Sequence, residues 1–267
     1  AASDVYKRQT ASGLETLPED KSMSGMKIEL VGRDDLWTYK SCDNYNESPL
    51  TKSYVDAGKL PPVNERMPKE PWMAKTDQMV DGIGEYGGTF RHVIGGRPEG
   101  FNWLAGQSQG WGGINIQLME SLTRLGPLWQ IKPDEANPLP NLAKDWEWSS
   151  DRKSLTMNLI EGARWSDGDI FDTEDIDFWW NDNVQDANVA SRLPKDALGA
   201  GTTLEILGPY SFKFNFDEPK GNAVLAQLAY MGGAPGPSHV MKPLHPAHNS
   251  DATVSYTHLT LPTTLVV

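Results

Sequence analysis

Residues 140–176, PNLAKDWEWSSDRKSLTMNLIEGARWSDGDIFDTEDI, place two strand signals, a tight turn and a helix start in immediate succession. Trp146 and Trp148 stand two apart, and Leu155, Met157 and Leu159 alternate with Thr156 and Asn158. Side chains of a strand point alternately to opposite faces, so this period of two predicts a pair of strands with one buried face, joined by a turn at Ser149-Ser150-Asp151. Trp165-Ser166-Asp167-Gly168 reads as a strand-terminating turn: the Asp carboxylate can take nearby backbone donors, Gly permits positive φ and Trp165 covers the core edge. Asp172 then stands at an N-cap position, with Glu174 and Asp175 in the first turn, where the helix dipole favours acids. Ile176, Trp179, Trp180 and Val184 follow at helical spacing, and both tryptophans are assigned to the core.

Downstream of this stretch, Thr203-Leu204-Glu205-Ile206 and Phe212-Lys213-Phe214-Asn215-Phe216 alternate as paired strands about a Gly208-Pro209 turn. Asn222 to Met231 predicts a short helix closed by Gly232-Gly233. Upstream, Ile114, Leu118, Leu122 and Leu125 recur at helical spacing, thickened by Ile116 and Met119, and predict a helix ending near Gly126-Pro127. Glycine pairs bracket the β-prone run from Thr89 to Ile94, which is expected to be the first core strand. Thr10 to Asp81 is polar and turn-rich, with Pro61, Pro62, Pro68 and Pro71 after a helical candidate at Leu50 to Gly58, a pattern that predicts an extended arm laid over a surface. The expected organisation is that arm at 10–81 followed by one α/β lobe at 82–253, a mixed sheet flanked by helices. Residues 1–9 and 254–267 resemble translated sequencing-adapter read-through and are expected to stand outside the fold.

Composition narrows the function classes. The chain of 267 residues carries 36 acidic and 24 basic residues, a formal charge of -12, and no basic run that could track a phosphate backbone, which argues against nucleic acid as a partner. No stretch approaches the roughly 18 consecutive apolar residues of a membrane-spanning helix. The single cysteine, Cys42, excludes an internal disulfide framework and a multi-cysteine zinc site. Tyr39-Lys40-Ser41 before it is not the apolar lipobox of a lipid anchor. Ten Trp beside 25 Gly and 19 Pro suit ligand-gripping loops better than a helical bundle.

The quoted blocks together resemble a known family. Pro140 to Glu147, Ser154 to Leu159, Ala163 to Gly168 and Phe171 to Ile176 are similar to the signature of the bacterial family-5 extracellular solute-binding proteins, the oligopeptide and dipeptide receptors. Gly58 to Pro68 and Tyr86 to Thr89 also look like one branch of it, and His239 to Pro246 is similar to a segment where members leave the first lobe. The resemblance covers about Tyr54 to Asp251. It implies a type II periplasmic-binding-protein lobe, incomplete because only the first of two lobes is matched. It also implies capture of peptides or similar small solutes for an ABC permease in the membrane, by hinge closure on the ligand. The protein is then a monomer, periplasmic or at the cell surface, without cofactor, metal or catalysis. The loop Arg97 to Trp103 would line the cleft: Glu99, Gly100, Phe101, Asn102 and Trp103, with Trp111 beyond the glycine-rich bend, are the expected ligand contacts. Asn102 could pair with a ligand main chain while Phe101 and Trp103 wall a pocket. Asn188 to Ser191 ranks lower.

Three other readings compete. Gly106-Gln107-Ser108-Gln109-Gly110 fits the nucleophile elbow of a serine hydrolase, but Asn102 to Ala105 is a poor strand and Trp111-Gly112-Gly113 a poor helix start. His245-x-x-His248 could bind a metal, yet Pro246 disfavours a regular helix and no third ligand lies close in sequence, so a surface loop is expected. The tryptophans leave an oligosaccharide receptor of the same fold, gripping sugars by stacking.

Overall fold

The computed structural model describes residues 32–39, 44–75, 119–125, 137–187, 198–229 and 233–252, together with positions 84, 87–89, 91 and 132. Its centre is a four-stranded antiparallel sheet made of β5 (Ala143–Trp148), β6 (Ser154–Leu159), β7 (Thr203–Gly208) and β8 (Ser211–Asn215), in the spatial order β5-β6-β8-β7. The period of two read in the sequence sets its faces. Leu155, Met157 and Leu159 are buried on one side, and Leu155 and Met157 pair across with Phe214 and Phe212, which are buried as well.

The β5–β6 turn is closed by side chains. Ser149 Oγ accepts the Ser154 amide at 2.9 Å, and Asp151 accepts from Ser149 Oγ at 2.7 Å and from the Lys153 amide at 3.0 Å. Arg152 has φ of 56°, left-handed backbone that a branched-free side chain tolerates only at some cost, and it is held there by many contacts. Its guanidinium lies 4.1 Å from the centre of the Trp148 ring, its Nε donates to Lys220 O at 2.7 Å and its Nη2 to Asn222 Oδ1 at 2.7 Å, while its carbonyl accepts the Lys220 amide at 3.0 Å.

The buried face of the sheet is covered by the helix that Asp172 starts. The Asp172 side chain accepts the Glu174 amide at 2.7 Å, and α4 (Thr173–Asp177) runs on directly as a π-helical turn, Phe178–Val184. Phe178, Trp179 and Trp180 are all buried. Three consecutive residues of an α-helix spread over about 200° at roughly 100° each, and the wider turn narrows that arc so that all three face inward. Trp180 meets Phe214 edge-on with ring centres 5.0 Å apart. Both tryptophans are therefore core residues.

Two expectations are corrected. Residues 119–125 are not the end of a helix: β3 (Thr123–Arg124) is extended and pairs antiparallel with β4 (Leu139–Pro140). The reason is tertiary. Thr123 caps the end of α5 (Ala223–Gln227), its amide donating to Leu228 O at 3.2 Å and its hydroxyl to Leu225 O at 2.6 Å, while the Leu122 amide donates to Gly233 O at 2.8 Å. Leu122 is thus buried from an extended segment, and Leu125 is 41% exposed. The predicted Asn222–Met231 helix is shorter than read, since α5 ends at Gln227. A Cβ on Gly233 would stand 2.0 Å from the Leu228 carbonyl oxygen, so that close approach requires glycine.

Before the lobe, α1 (Arg33–Leu36), β1 (Trp37–Tyr39), α2 (Pro49–Asp56), α3 (Val63–Arg66) and β2 (Trp72–Ala74) follow in order, with β1 and β2 paired antiparallel. Trp37 stacks on Trp72 at 5.9 Å, and both pack with Leu36 against Leu139 of β4. Glu47 ties the segment together by accepting from Thr51 Oγ1, from Arg66 Nη2 at 2.6 Å and from the Val63 amide at 3.1 Å. The last elements among the described residues are α6 (Ser238–Met241) and a 3-10 turn, Lys242–Leu244.

Candidate functional site

The loop expected to meet the ligand, Glu99, Gly100, Phe101, Asn102, Trp103 and Trp111, lies outside the described residues, as do Ser108, residues 188–191 and most of the expected 87–96 strand. What the described residues build is a support that ties the Trp165 turn to a helix start, an open cleft, and two histidine–carboxylate clusters.

The support is organised by Asp175. Its side chain is buried at the start of α4, where Oδ2 accepts from Trp165 Nε1 at 2.8 Å and the Asp172 amide at 3.3 Å, and Oδ1 accepts the Ser238 amide at 2.8 Å. One carboxylate thereby joins the Trp-Ser-Asp-Gly turn, the helix start and α6. Trp165 also meets Phe171 edge-on with ring centres 5.7 Å apart. His239 adds a second tie, with Nε2 2.7 Å from Asp167 Oδ2 and Nδ1 3.0 Å from Asp169 Oδ2. Burial raises the Asp167 carboxyl, but the bonds from His239 and the Asp169 amide outweigh it and hold the group below its ordinary value. The Trp-Ser-Asp-Gly block makes the structural contacts read for it in the sequence, Trp165 packing against the core and Asp167 accepting the Asp169 amide at 3.2 Å.

The cleft, about 880 Å³, opens between the α3 segment and the lobe. Glu65, Lys69 and Glu70 line one wall and Lys144, Glu161 and Tyr210 the other. Arg164 spans it at the rim, its Nε donating to Glu65 O at 3.1 Å and its Nη1 to Gly168 O at 2.8 Å. Charges of both signs line this open cleft together with apolar surface from Met67 and Ile160.

The second histidine cluster corrects the expected surface loop at His245-x-x-His248, since His245 is buried. His245 and His248 face Asp182, on the π turn, and one ligand atom from each of the three lies within 4.8 Å of the others. His248 Nε2 stands 2.7 Å from Asp182 Oδ2, and His245 Nε2 stands 3.4 Å from Asp186 Oδ2. Asp182 is 63 residues before His245, so no spacing rule could have paired them.

Comparison with known proteins gives this architecture its place. In a solved structure of the periplasmic binding protein MelB from Agrobacterium fabrum C58 in complex with stachyose, 46% of aligned residues are identical, the TM-score is 0.80, and the match covers 88% of this chain and 36% of that one. The oligopeptide-binding protein OppA matches with a TM-score of 0.61 at 28% identity, over 84% of this chain and 32% of that one. The fold is thus that of a type II periplasmic binding protein. Residues 137–260 match the model of the bacterial extracellular solute-binding proteins, family 5 Middle, and the chain belongs to that family. A periplasmic alpha-galactoside-binding protein of Rhizobium meliloti (strain 1021) is 50% identical over 225 residues, 83% of this chain, and the chain spans 32% of that relative's length. Dipeptide-binding protein DppE of Bacillus subtilis (strain 168) is 34% identical over 83 residues, 31% of this chain and 13% of that protein.

Proposed function

We propose that the protein is the solute-capturing component of an ABC importer, working in the periplasm or at the cell surface, and that its ligand is an oligosaccharide of the α-galactoside class. The observation that carries this reading is the similarity to the alpha-galactoside-binding relative, 50% identity over 83% of the chain, together with the TM-score of 0.80 to the stachyose complex. Both exceed the likeness to the oligopeptide-binding protein, which favours peptides as the second reading. Binding needs no bond making. Closure of two lobes on the sugar would present a changed surface to the permease, and a serine hydrolase using Ser108 is set aside.

Sugar rings offer apolar faces and a rim of hydroxyls, so a receptor grips them with flat aromatic side chains edged by polar groups. Phe101, Trp103 and Trp111 supply the first chemistry in this proposal, and Glu99, Asn102 and the backbone at Gly100 the second. Titration of the whole protein with stachyose, followed by tryptophan fluorescence, tests it. A saturable change with stachyose and none with a tetrapeptide is expected, and Trp103→Ala should weaken binding about 30-fold, a loss of roughly 2 kcal/mol typical of a buried aromatic contact. A response to the peptide alone transfers the protein to the peptide reading. A response to neither overturns the receptor assignment for both ligand classes.

A further inference from the structure

We propose that Asp182, His245 and His248, with Asp186 beside them, form a binding site for a divalent transition-metal ion, zinc above all, that fastens the chain after α6 to the π turn. Two imidazoles and two carboxylates are the donor types that zinc accepts in a closed, four-coordinate structural site. With neutral imidazoles the four groups sum to a charge of -2, which one divalent cation neutralises.

The backbone delivers these groups from two separately fixed elements. In the π turn the Gln185 amide donates to Trp180 O at 2.9 Å, five residues back, and such widened turns recur at functional sites. The turn aims Asp182 at His248. On the other side, the His248 and Asn249 amides both donate to His245 O, at 3.0 and 2.9 Å, and Asn249 Nδ2 donates to Pro243 O at 2.7 Å. This closes Pro246 into a tight turn and sets the two imidazole rings 5.9 Å apart. Phe178 fixes the plane of His245, edge-on at 5.9 Å.

Zinc ligands about 2.1 Å from the ion stand ~3.4 Å apart in a tetrahedron. The 2.7 Å contact between His248 Nε2 and Asp182 Oδ2 must therefore spread slightly and His245 close in, which small side-chain rotations achieve. His245 Nδ1 accepts the Ala247 amide at 3.2 Å, so ligation through Nε2 moves the ring proton to Nδ1 and gives up that one long hydrogen bond. The other histidine cluster has no such capacity, because Asp167 and Asp169 bind opposite nitrogens of His239 and cannot share an ion with it.

Calorimetric titration of the chelator-treated 267-residue chain with zinc chloride tests the site. One ion bound per chain and a rise in the thermal midpoint with excess zinc are expected. His248→Ala and Asp182→Asn, both at partly exposed positions, should abolish the two effects. Asp186→Asn, which removes the fourth ligand's charge from the Nε2 side of His245, should weaken binding by more than the roughly 10-fold expected of a partner outside the coordination shell. His239→Asn should leave binding unchanged. Absence of zinc binding by the native chain, or binding that survives both His248→Ala and Asp182→Asn, overturns the proposal, the latter showing only loose association with an acidic surface.

Discussion

A buried carboxylate with three donors around it is a demanding object, and Asp175 shows why. At 2% exposure its charge is tolerable only because Trp165, Asp172 and Ser238 supply hydrogen bonds. Removing the carboxylate strands at least two buried N–H groups, each costing about 1–3 kcal/mol. Asp175→Ala is therefore expected to lower unfolding stability by on the order of 3 kcal/mol, read as a fall in the urea midpoint without a change in slope. Part of this role was legible. Asp172 and Asp175 have the spacing of a capping box, and the sequence placed both at a helix start. The bond to Ser238 was not, because a contact spanning 63 residues leaves no local pattern.

The same limit operates on whole elements. Strands β5, β6 and β8 declared themselves because one face of the sheet is buried and the alternation survives in the sequence. Around Leu122 the apolar spacing of three and four was read as helical, yet an extended chain that also feeds its amides to α5 buries the same leucine. Helix α4 was read correctly at its start and incompletely beyond it, since nothing local announces a π turn. At that start, burial raises the Asp172 carboxyl above its ordinary value and the neighbouring acids Asp175, Glu174 and Asp169 add to the effect, against the Glu174 amide. Asp172→Ala should cost about 1 kcal/mol, whereas Asp172→Asn keeps the cap without the charge and should match the native protein at neutral pH. A raised folded value means that the native chain gains stability as pH falls through it. Thermal melts should then show the native protein gaining on the Asn variant under acid.

Across the whole molecule, acid acts in the opposite direction on the ties between segments. The bonds from Thr51 and Arg66 hold the Glu47 carboxyl below its ordinary value, and Asp167 is held low by His239 once burial is outweighed. A depressed folded value makes a contribution that is present above the unfolded carboxylate range, near pH 4, and is lost as pH falls through the folded value. Hydrogen-exchange protection across residues 44–75, corrected for the intrinsic pH dependence of exchange, should therefore fall below about pH 4, and Glu47→Gln should lower it already at neutral pH. Exchange in that segment that is insensitive to both changes would rule out Glu47 as its anchor. The proline-rich composition gave no sign that Trp37 and Trp72 would stack on each other beside Leu139.

Arg152 bears on where the chain could bend, were it to close on a solute as proposed above. Its side chain and carbonyl lash the tip of one hairpin to Lys220 and Asn222, and the Phe216 amide adds a bond to Lys153 O at 2.8 Å. Cross-bracing of this kind turns the sheet and the approach to α5 into a single stiff plate. Under the proposed function, a rotation that accompanied solute capture would fall outside that plate.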